Sequence, residues 1–152
     1  MEALETAATN RISNSAALPG EVAVLSWSDK PLKVSISSGN TAAIVVRFMG
    51  VQLQPTTSPS RGRLVQAGTI ELEARFFTKT LREGNGAYGL MAFVQQSLSN
   101  WLPGVSELDQ GYSSDLPGLQ LTDAQLIGND KALWDWGQVY TCPVTFTMRS
   151  SS

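Results

Sequence analysis

The chain contains no histidine and a single cysteine, and these absences remove several classes of enzyme and metal site. Without histidine, a Ser-His-Asp triad, a Cys-His pair and a His-ligated zinc ion are excluded. With Cys142 as the sole cysteine, the chain can form neither an intramolecular disulfide nor a cysteine-based metal cluster. Cys142 lies in the apolar run VYTCPVTFTM, where no cationic neighbour in sequence activates it, so we predict a buried structural thiol.

Charge is also scarce, because charged residues make up 16% of the 152 residues and the formal net charge is −2. A protein that grips duplex nucleic acid needs clustered lysine and arginine to displace counterions, so this balance argues against that class. No apolar run approaches the ~18 residues that a transmembrane helix requires. The first ten residues carry two glutamates and no basic residue, so we expect no Sec-type signal peptide and synthesis in a cytoplasm.

The apolar sequence that is present suffices for one folded domain, since 42% of the residues are hydrophobic. Periodicity predicts helices over Glu2–Leu18 and Tyr88–Leu102, and strands over Glu21–Trp27, Ala42–Val51, Thr69–Thr78, Leu119–Gly128 and Ala132–Arg149. We therefore predict a single α+β domain over residues 1–152, with a frayed tail at 149–152. Its sheet is expected to be mixed or mostly antiparallel, with about five strands and two helices packed on one face.

Residues 52–66 separate two predicted strands and are rich in proline and small polar residues. They predict a long mobile hairpin loop, well above the usual two to five residues. Loops of this length inside a compact domain are commonly functional. The tip carries Arg61 and Arg63, which are suited to bind carboxylates of a protein partner.

The segment GNGAYG, Gly84–Gly89, matches the dinucleotide-binding pattern G-x-G-x-x-G. That fingerprint needs its glycines directly after a strand, and an acidic residue about 20 positions on at the end of a second strand. Here Lys79–Glu83 separate the strand from the first glycine, and Glu107 and Asp109 fall in a polar loop. The spacing therefore favours a turn between a strand and a helix over a nucleotide site.

The glycines have structural roles under this interpretation. We expect Gly84 and Gly86 to adopt positive φ, and Asn85 or Gly86 to begin the helix. Gly89 would permit close approach to the first helical turn.

The carboxylates offer little further chemistry. Glu71 and Glu73 share one face of a predicted strand, where a solvated sheet face is favoured over a catalytic pair. Asp123, Asp130 and Asp135 could imitate an acidic metal site, but turn and loop positions account for the first two. The sequence thus predicts no catalytic, cofactor-binding or metal-binding residue.

The order of these features resembles the tail terminator (minor tail) proteins of tailed bacteriophages, in the Mu-like and lambda-like group. The resemblance covers about residues 2–148. It rests on an N-terminal helix closed by ALPG, the strand AAIVVRFMG, the long hairpin loop, IELEARFFTKTLR followed by GNGAYGLMAFVQQSL, and the aromatic strand LWDWGQVYTCPVTFTM. The block from Phe77 to Leu98 is its most specific part.

The resemblance implies a structural protein of the virion rather than an enzyme. Members of the group form a hexameric ring that caps the tail tube, terminates tail polymerisation and provides the head-joining surface. The implied partners are further copies of the chain, the tail tube protein and possibly the sheath, and a neck connector. DNA would pass through the lumen without sequence-specific binding, no membrane is involved, and the protein would be assembled in the host cytoplasm into the tail or neck.

The interface residues expected from the hairpin loop, the glycine turn and the aromatic last strand are Gln54, Thr56, Thr57, Ser60, Arg61, Arg63, Arg82, Glu83, Asn85, Trp134 and Trp136. Two alternatives stay open from the sequence. One is a neck, head–tail connector or completion protein of similar fold. The other is a small enzyme that uses the glycine turn to bind a nucleotide.

Overall fold

The strand-forming residues build one sheet in the computed structural model, which describes residues 1–27, 41–56, 63–130 and 132–149. Within those residues the strands are β1 (Val22–Ser26), β2 (Ala42–Leu53), β3 (Arg63–Thr78), β4 (Tyr112–Ser114), β5 (Gln120–Asp130) and β6 (Leu133–Arg149). The sheet order is β1-β2-β3-β6, and β4 and β5 both pair with the outer side of β6. β1 is parallel to β2 and the other described pairings are antiparallel, which confirms the predicted mixed sheet.

Two α-helices in the described part of the chain pack on the same face of this sheet. α1 (Glu2–Ser13) buries Leu4, Ala8 and Ile12, which repeat every four residues. α2 (Ala87–Leu98) buries Ala87, Leu90, Val94 and Leu98, as its apolar stripe predicts. Full burial of a leucine side chain contributes about 1.5–3 kcal/mol. The predicted α+β class, with two helices on one face, is therefore confirmed.

The main core lies between the helices and the face of the sheet that we call the helix-covered face. Its buried strand residues alternate along β2, β3 and β6, and they include Ile44, Val46, Ile70, Leu72, Phe76, Tyr140 and Cys142. The Tyr140 hydroxyl donates to Gln138 Oε1 at 2.7 Å, and Gln138 Nε2 donates to the Met91 carbonyl at 3.1 Å. These bonds satisfy a phenol that would otherwise be costly to bury.

The opposite face of the sheet carries a second, smaller apolar cluster. Ala43, Val45 and Phe77 are buried there, and Trp27 packs against them. This face therefore is not simply a solvated surface.

Beside that cluster lies what we call the charge network, formed by Arg47, Glu73, Arg75 and Asp135. Arg47 Nε donates to Glu73 Oε1 at 2.9 Å, and Arg75 donates to both carboxylate oxygens of Asp135. The hydrogen bond to Asp135 raises the pKa of Arg75 further above its usual range. Glu73 is buried, so the prediction that it lies on a solvated face is wrong; its neighbour Glu71 is exposed as predicted.

Both helices are shorter than predicted. α1 ends at Ser13 instead of Leu18: the Asn14 N–H makes the last α-helical bond, to the Asn10 carbonyl, and the Ser15 and Leu18 N–H groups bond only three residues back, to Ile12 and Ser15. α2 ends at Leu98 instead of Leu102, because the backbone becomes extended at Ser99.

The predicted loop over residues 52–66 is wrong in its bounds. β3 already begins at Arg63, because the 17 residues of β6 provide pairing partners up to Arg149. β2 continues to Leu53, because β3 pairs with it as far as Gly68. Residues 57–62 of the predicted loop lie outside the described residues. Arg149 ends β6 instead of starting a frayed tail, and residues 150–152 lie outside the described part.

The polar segment between α2 and β5 was predicted as a loop, but it contains a short 3₁₀ helix at Val105–Glu107 and the strand β4. Glu107 Oε1 accepts the Gly104 N–H at 2.8 Å, which caps the 3₁₀ helix. β4 pairs with β6, where Tyr112 lies opposite Phe146.

Candidate protein-interaction surfaces

The glycine motif forms a turn whose surroundings differ from a dinucleotide site. β3, which precedes it, and β6, which lies beside β3, are antiparallel, whereas the fingerprint belongs to a parallel β-α-β unit. Gly84 has the expected positive φ of 58°, and Gly86 is the N-cap of α2.

Two expectations for these glycines are wrong. Gly86 has φ −73°, and its role is steric: a Cβ there would lie 2.7 Å from the carbonyl carbon and oxygen of Leu81. Gly89 faces open space, and no other part of the described chain approaches it closely.

The described carboxylates that the sequence singles out are paired with arginines or lie apart from them. Asp135 is paired with Arg75, Glu73 with Arg47, and Asp123 lies in β5 opposite Val139. No group of three or more Cys, Asp or Glu side chains within the described residues is arranged to hold a metal ion. Cys142 is fully buried as predicted, and this burial raises its pKa to about 11, which leaves the thiol unreactive at neutral pH.

Four side chains from three distant segments form a cluster that we call the aromatic patch: Arg82, Tyr88, Leu126 and Trp136. Arg82, Tyr88 and Leu126 are exposed, whereas Trp136 is partly buried against the core and its indole N–H has no hydrogen-bond partner among the described residues. The rings of Tyr88 and Trp136 pack edge to face with centroids 5.7 Å apart and an interplanar angle of 77°. The Arg82 guanidinium lies 6.0 Å from the Tyr88 ring centroid. Leu126 lies opposite Trp136 in the β5–β6 ladder. Tyr88 and Leu126 remain 40% and 48% exposed, so the patch is an apolar surface with a cation at its rim.

The local fold explains how the patch forms. The turn at Gly84–Gly86 starts α2 beside the N-terminal end of β6, so Tyr88 in the first helical turn reaches Trp136. Trp136 lies on the helix-covered face, since its partner in β3 is the core residue Phe76. α2 leaves this end of the sheet partly uncovered.

The other interface residues expected near the patch have different environments. Trp134 is half-buried and faces Thr78 and Asn129 across its two neighbouring strands. Glu83 is exposed, and its backbone carbonyl accepts a hydrogen bond from Thr80 Oγ1 at 2.6 Å. Asn85 is held by the chain itself, because its amide donates to the Gly20 carbonyl at 2.9 Å and to Thr41 Oγ1 at 2.7 Å.

The expected interface residues of the hairpin are separated from the patch. The Gln54 N–H donates to the Ala67 carbonyl at 2.8 Å, and Thr56 Oγ1 donates to the Val65 carbonyl at 3.0 Å. Arg63 is exposed at the start of β3. The remaining residues expected there, Thr57, Ser60 and Arg61, lie outside the described residues.

Sequence reasoning missed an open groove of about 880 Å³ beside α1. One wall carries the small and polar side chains of α1, and the other carries Ser97, Trp101 and Glu107. Arg11 donates to the Ser97 carbonyl at 2.7 Å and lies 5.4 Å from the Trp101 ring centroid. The arginine is thus already engaged by the protein itself, and the groove shows no convergent set of reactive groups.

No helix in the described part of the chain is long and apolar enough to cross a membrane.

Comparison with known proteins adds no name to these surfaces: no protein-family model matches the chain, and no curated protein matches it significantly.

Proposed function

We propose that this chain is a structural virion protein that assembles into a hexameric ring at the end of a phage tail tube. In this role it terminates tail polymerisation and presents the surface to which the head is joined. Its partners are further copies of itself, the tail tube protein, possibly the sheath, and a neck connector. The sequence resemblance supplies the phage context, and the exposed surfaces of the fold support the assembly role.

The observation that carries the proposal is the aromatic patch. Arginine, tyrosine and tryptophan are the residue types most enriched where protein interfaces gain their binding energy. In this chain Arg82, Tyr88 and Trp136 come together on one surface, although Trp136 is far from the others in sequence. A monomer gains little from leaving Tyr88 and Leu126 this exposed, whereas a neighbouring subunit would bury them.

The net charge of the chain is consistent with a ring around a DNA-conducting lumen. DNA passes through the lumen of a tail without being held, which agrees with a formal net charge of −2. The antiparallel arrangement of β3 and β6 disfavours the nucleotide-binding alternative.

The first experiment measures the mass of the purified protein by native mass spectrometry and images it by negative-stain electron microscopy. We expect rings of six chains with an open lumen. Arg82→Ala combined with Tyr88→Ala removes two exposed side chains of the patch and should shift the population to smaller species. Leu102→Ala, four residues beyond the C-terminal end of α2 and 44% exposed, is the matched control and should leave the rings intact.

A protein that stays monomeric at all concentrations, or that binds NAD, FAD or ATP at micromolar concentration by calorimetry, would contradict the proposal. A ring located one layer above the tube in assembled particles would identify a neck connector instead of a terminator.

A further inference from the structure

The start of β3 and the end of β6 form what we call the cationic arm: residues 63–69 of β3 and residues 143–149 of β6, which pair with them. Residues 52–70 and 141–152, which include this arm, contain three of the 11 lysines and arginines of the chain and none of its 13 aspartates and glutamates. Positive charge is therefore concentrated at this end of the sheet, although the whole chain has a formal net charge of −2.

Two arginines of the cationic arm are cross-strand partners. Arg63 lies directly opposite Arg149 in the antiparallel β3–β6 ladder. Directly opposed residues share one face of a sheet, so the pairing places two like charges side by side, which destabilises an isolated sheet. The sequence predicted Arg63 within a loop and Arg149 within a frayed tail, so the fold alone reveals that the two positions are paired.

No carboxylate among the described residues forms an ion pair with Arg63. Glu71, the next acidic residue along β3, is eight residues further on, which is about 27 Å at the rise of an antiparallel strand. Two acidic residues near β4 are engaged elsewhere. Asp115 accepts a hydrogen bond from the Thr145 hydroxyl at 2.7 Å, and Asp109 lies 3.4 Å from the terminal amino group. The positive charge of the cationic arm is thus not neutralised by the described part of the chain.

The surface beside the arginine pair is uncharged and exposed. Val65 is 40% exposed, and Ala67 and Thr69 are exposed as well. They lie on the same face as Arg63, because alternate residues of a strand share a face. Arginine next to apolar and small side chains suits a protein partner, whereas a nucleic-acid backbone is contacted through several clustered cations.

We propose that the cationic arm is a docking surface for a protein partner that presents carboxylates to Arg63 and Arg149. Guanidinium groups bind carboxylates through two parallel hydrogen bonds, and a negative charge beside two arginines offsets their mutual repulsion. Binding therefore relieves an unfavourable feature of the free chain. This surface is additional to the aromatic patch, and the inference does not depend on the number of subunits in the ring.

Fluorescence anisotropy with a labelled hexaglutamate peptide at low ionic strength tests this surface. We expect the wild-type protein to bind the peptide, and Arg63→Gln combined with Arg149→Gln to bind it at least about fivefold more weakly, since charge-assisted hydrogen bonds are lost. Lys79→Gln combined with Arg82→Gln is the matched control. It removes the same charge from two exposed positions just beyond the other end of β3, and the affinity should change less than about twofold.

A short labelled DNA duplex in the same assay distinguishes the two classes of anion. Binding of the duplex that depends on the cationic arm, without binding of the peptide, would overturn the assignment to a protein partner. Failure of the wild-type protein to bind the peptide, or an equal loss of affinity in both double variants, would overturn it as well. The ring is measured separately by native mass spectrometry, so these results leave the proposed function standing.

Thermal melts of the free protein test the repulsion between the paired arginines. Arg63→Gln should not lower the melting temperature, because it removes one of two opposed like charges. Added sodium chloride should raise the melting temperature of the wild type more than that of Arg63→Gln, since salt screens the repulsion. A clear loss of stability in Arg63→Gln would show that Arg63 stabilises the free chain, and would contradict its assignment to a partner.

Discussion

The two faces of the central sheet are stabilised by different interactions. The helix-covered face is apolar along its length, with Ile70, Leu72 and Phe76 alternating down β3 beneath α1 and α2. On the opposite face the same strand contributes Glu73 and Arg75 to the charge network. Successive residues of one strand therefore lie in two environments. One face is stabilised by burial of apolar side chains, and the other by paired charges.

The two faces show which properties of a sheet can be predicted from the alternation of side chains along a strand. Period-two alternation determines which residues share a face, because successive side chains point to opposite sides of a strand. It does not determine what covers each face. Arg47 and Asp135 are distant in sequence from Glu73 and Arg75, so only the pairing of β2, β3 and β6 brings the four charges together.

The largest effect is expected from a charge introduced beneath the helices. Val94 is fully buried in α2, and an unpaired carboxylate there costs more than a cavity. Because domains of this kind have stabilities of roughly 5–15 kcal/mol, Val94→Asp should leave much of the protein unfolded in the absence of denaturant. Leu98→Ala, the control, should lower the free energy of unfolding by about 2–5 kcal/mol and keep a cooperative transition. Equal urea midpoints for the two variants would contradict this account.

A smaller effect is expected from removing a charge on the opposite face. Glu73→Gln keeps the shape of the side chain but leaves Arg47 and Arg75 with less compensation. Breaking a buried ion pair costs roughly 3–5 kcal/mol. We expect a lower value here, because the Arg47 side chain is 31% exposed. Urea denaturation at pH 7 measures the loss.

The control for this variant replaces both partners by apolar residues. Arg47→Met combined with Glu73→Leu leaves Arg75 paired with Asp135 and should recover most of the lost stability. If the double variant is as unstable as Glu73→Gln, the charges are not what holds this face.

A pH dependence is expected from the helix-covered face. Burial raises the pKa of Cys142 from its ordinary value of 9.0 to about 11. The neutral thiol therefore favours the folded state fully below pH 9, and this contribution is lost as the pH rises from 9 to 11. Cys142→Ala should reduce the slope of unfolding free energy against pH in this window. The remaining slope is assigned to Tyr140, because burial raises its pKa as well. Identical slopes for Cys142→Ala and the wild type would contradict the assignment to Cys142.

The smallest effect is expected on the solvent side of the helix that covers the apolar face. Gly89 faces open space in α2, so Gly89→Ala should stabilise the protein by about 0.5–1 kcal/mol. Gly86→Ala, three residues earlier, should have the opposite sign because its Cβ would meet the Leu81 carbonyl at 2.7 Å. Thermal melts of the two variants check both signs, and a loss of stability in Gly89→Ala would show that the position is not open.

Much of the fold was predictable, because the helices and strands carry strong periodic patterns. The stripe Leu90, Val94 and Leu98 and the strand Ala42–Val51 both appear where the sequence places them. Element ends were less predictable: pairing with β6 extends β3 back to Arg63, which local composition does not reveal. The sequence named Arg82 and Trp136 as interface candidates, but it could not show that Tyr88 joins them, since their contact depends on tertiary packing.

The central claim is that six copies of this chain form a ring at the end of a phage tail. Electron microscopy of assembled particles at a resolution that identifies side chains is its most direct test. We predict one ring of six chains at the head-proximal end of the tail tube, with the aromatic patch of each chain buried against its neighbour. Absence of the chain from that position, or its presence there in a ring whose subunits meet through other surfaces, would contradict the proposed location or the proposed contact, respectively.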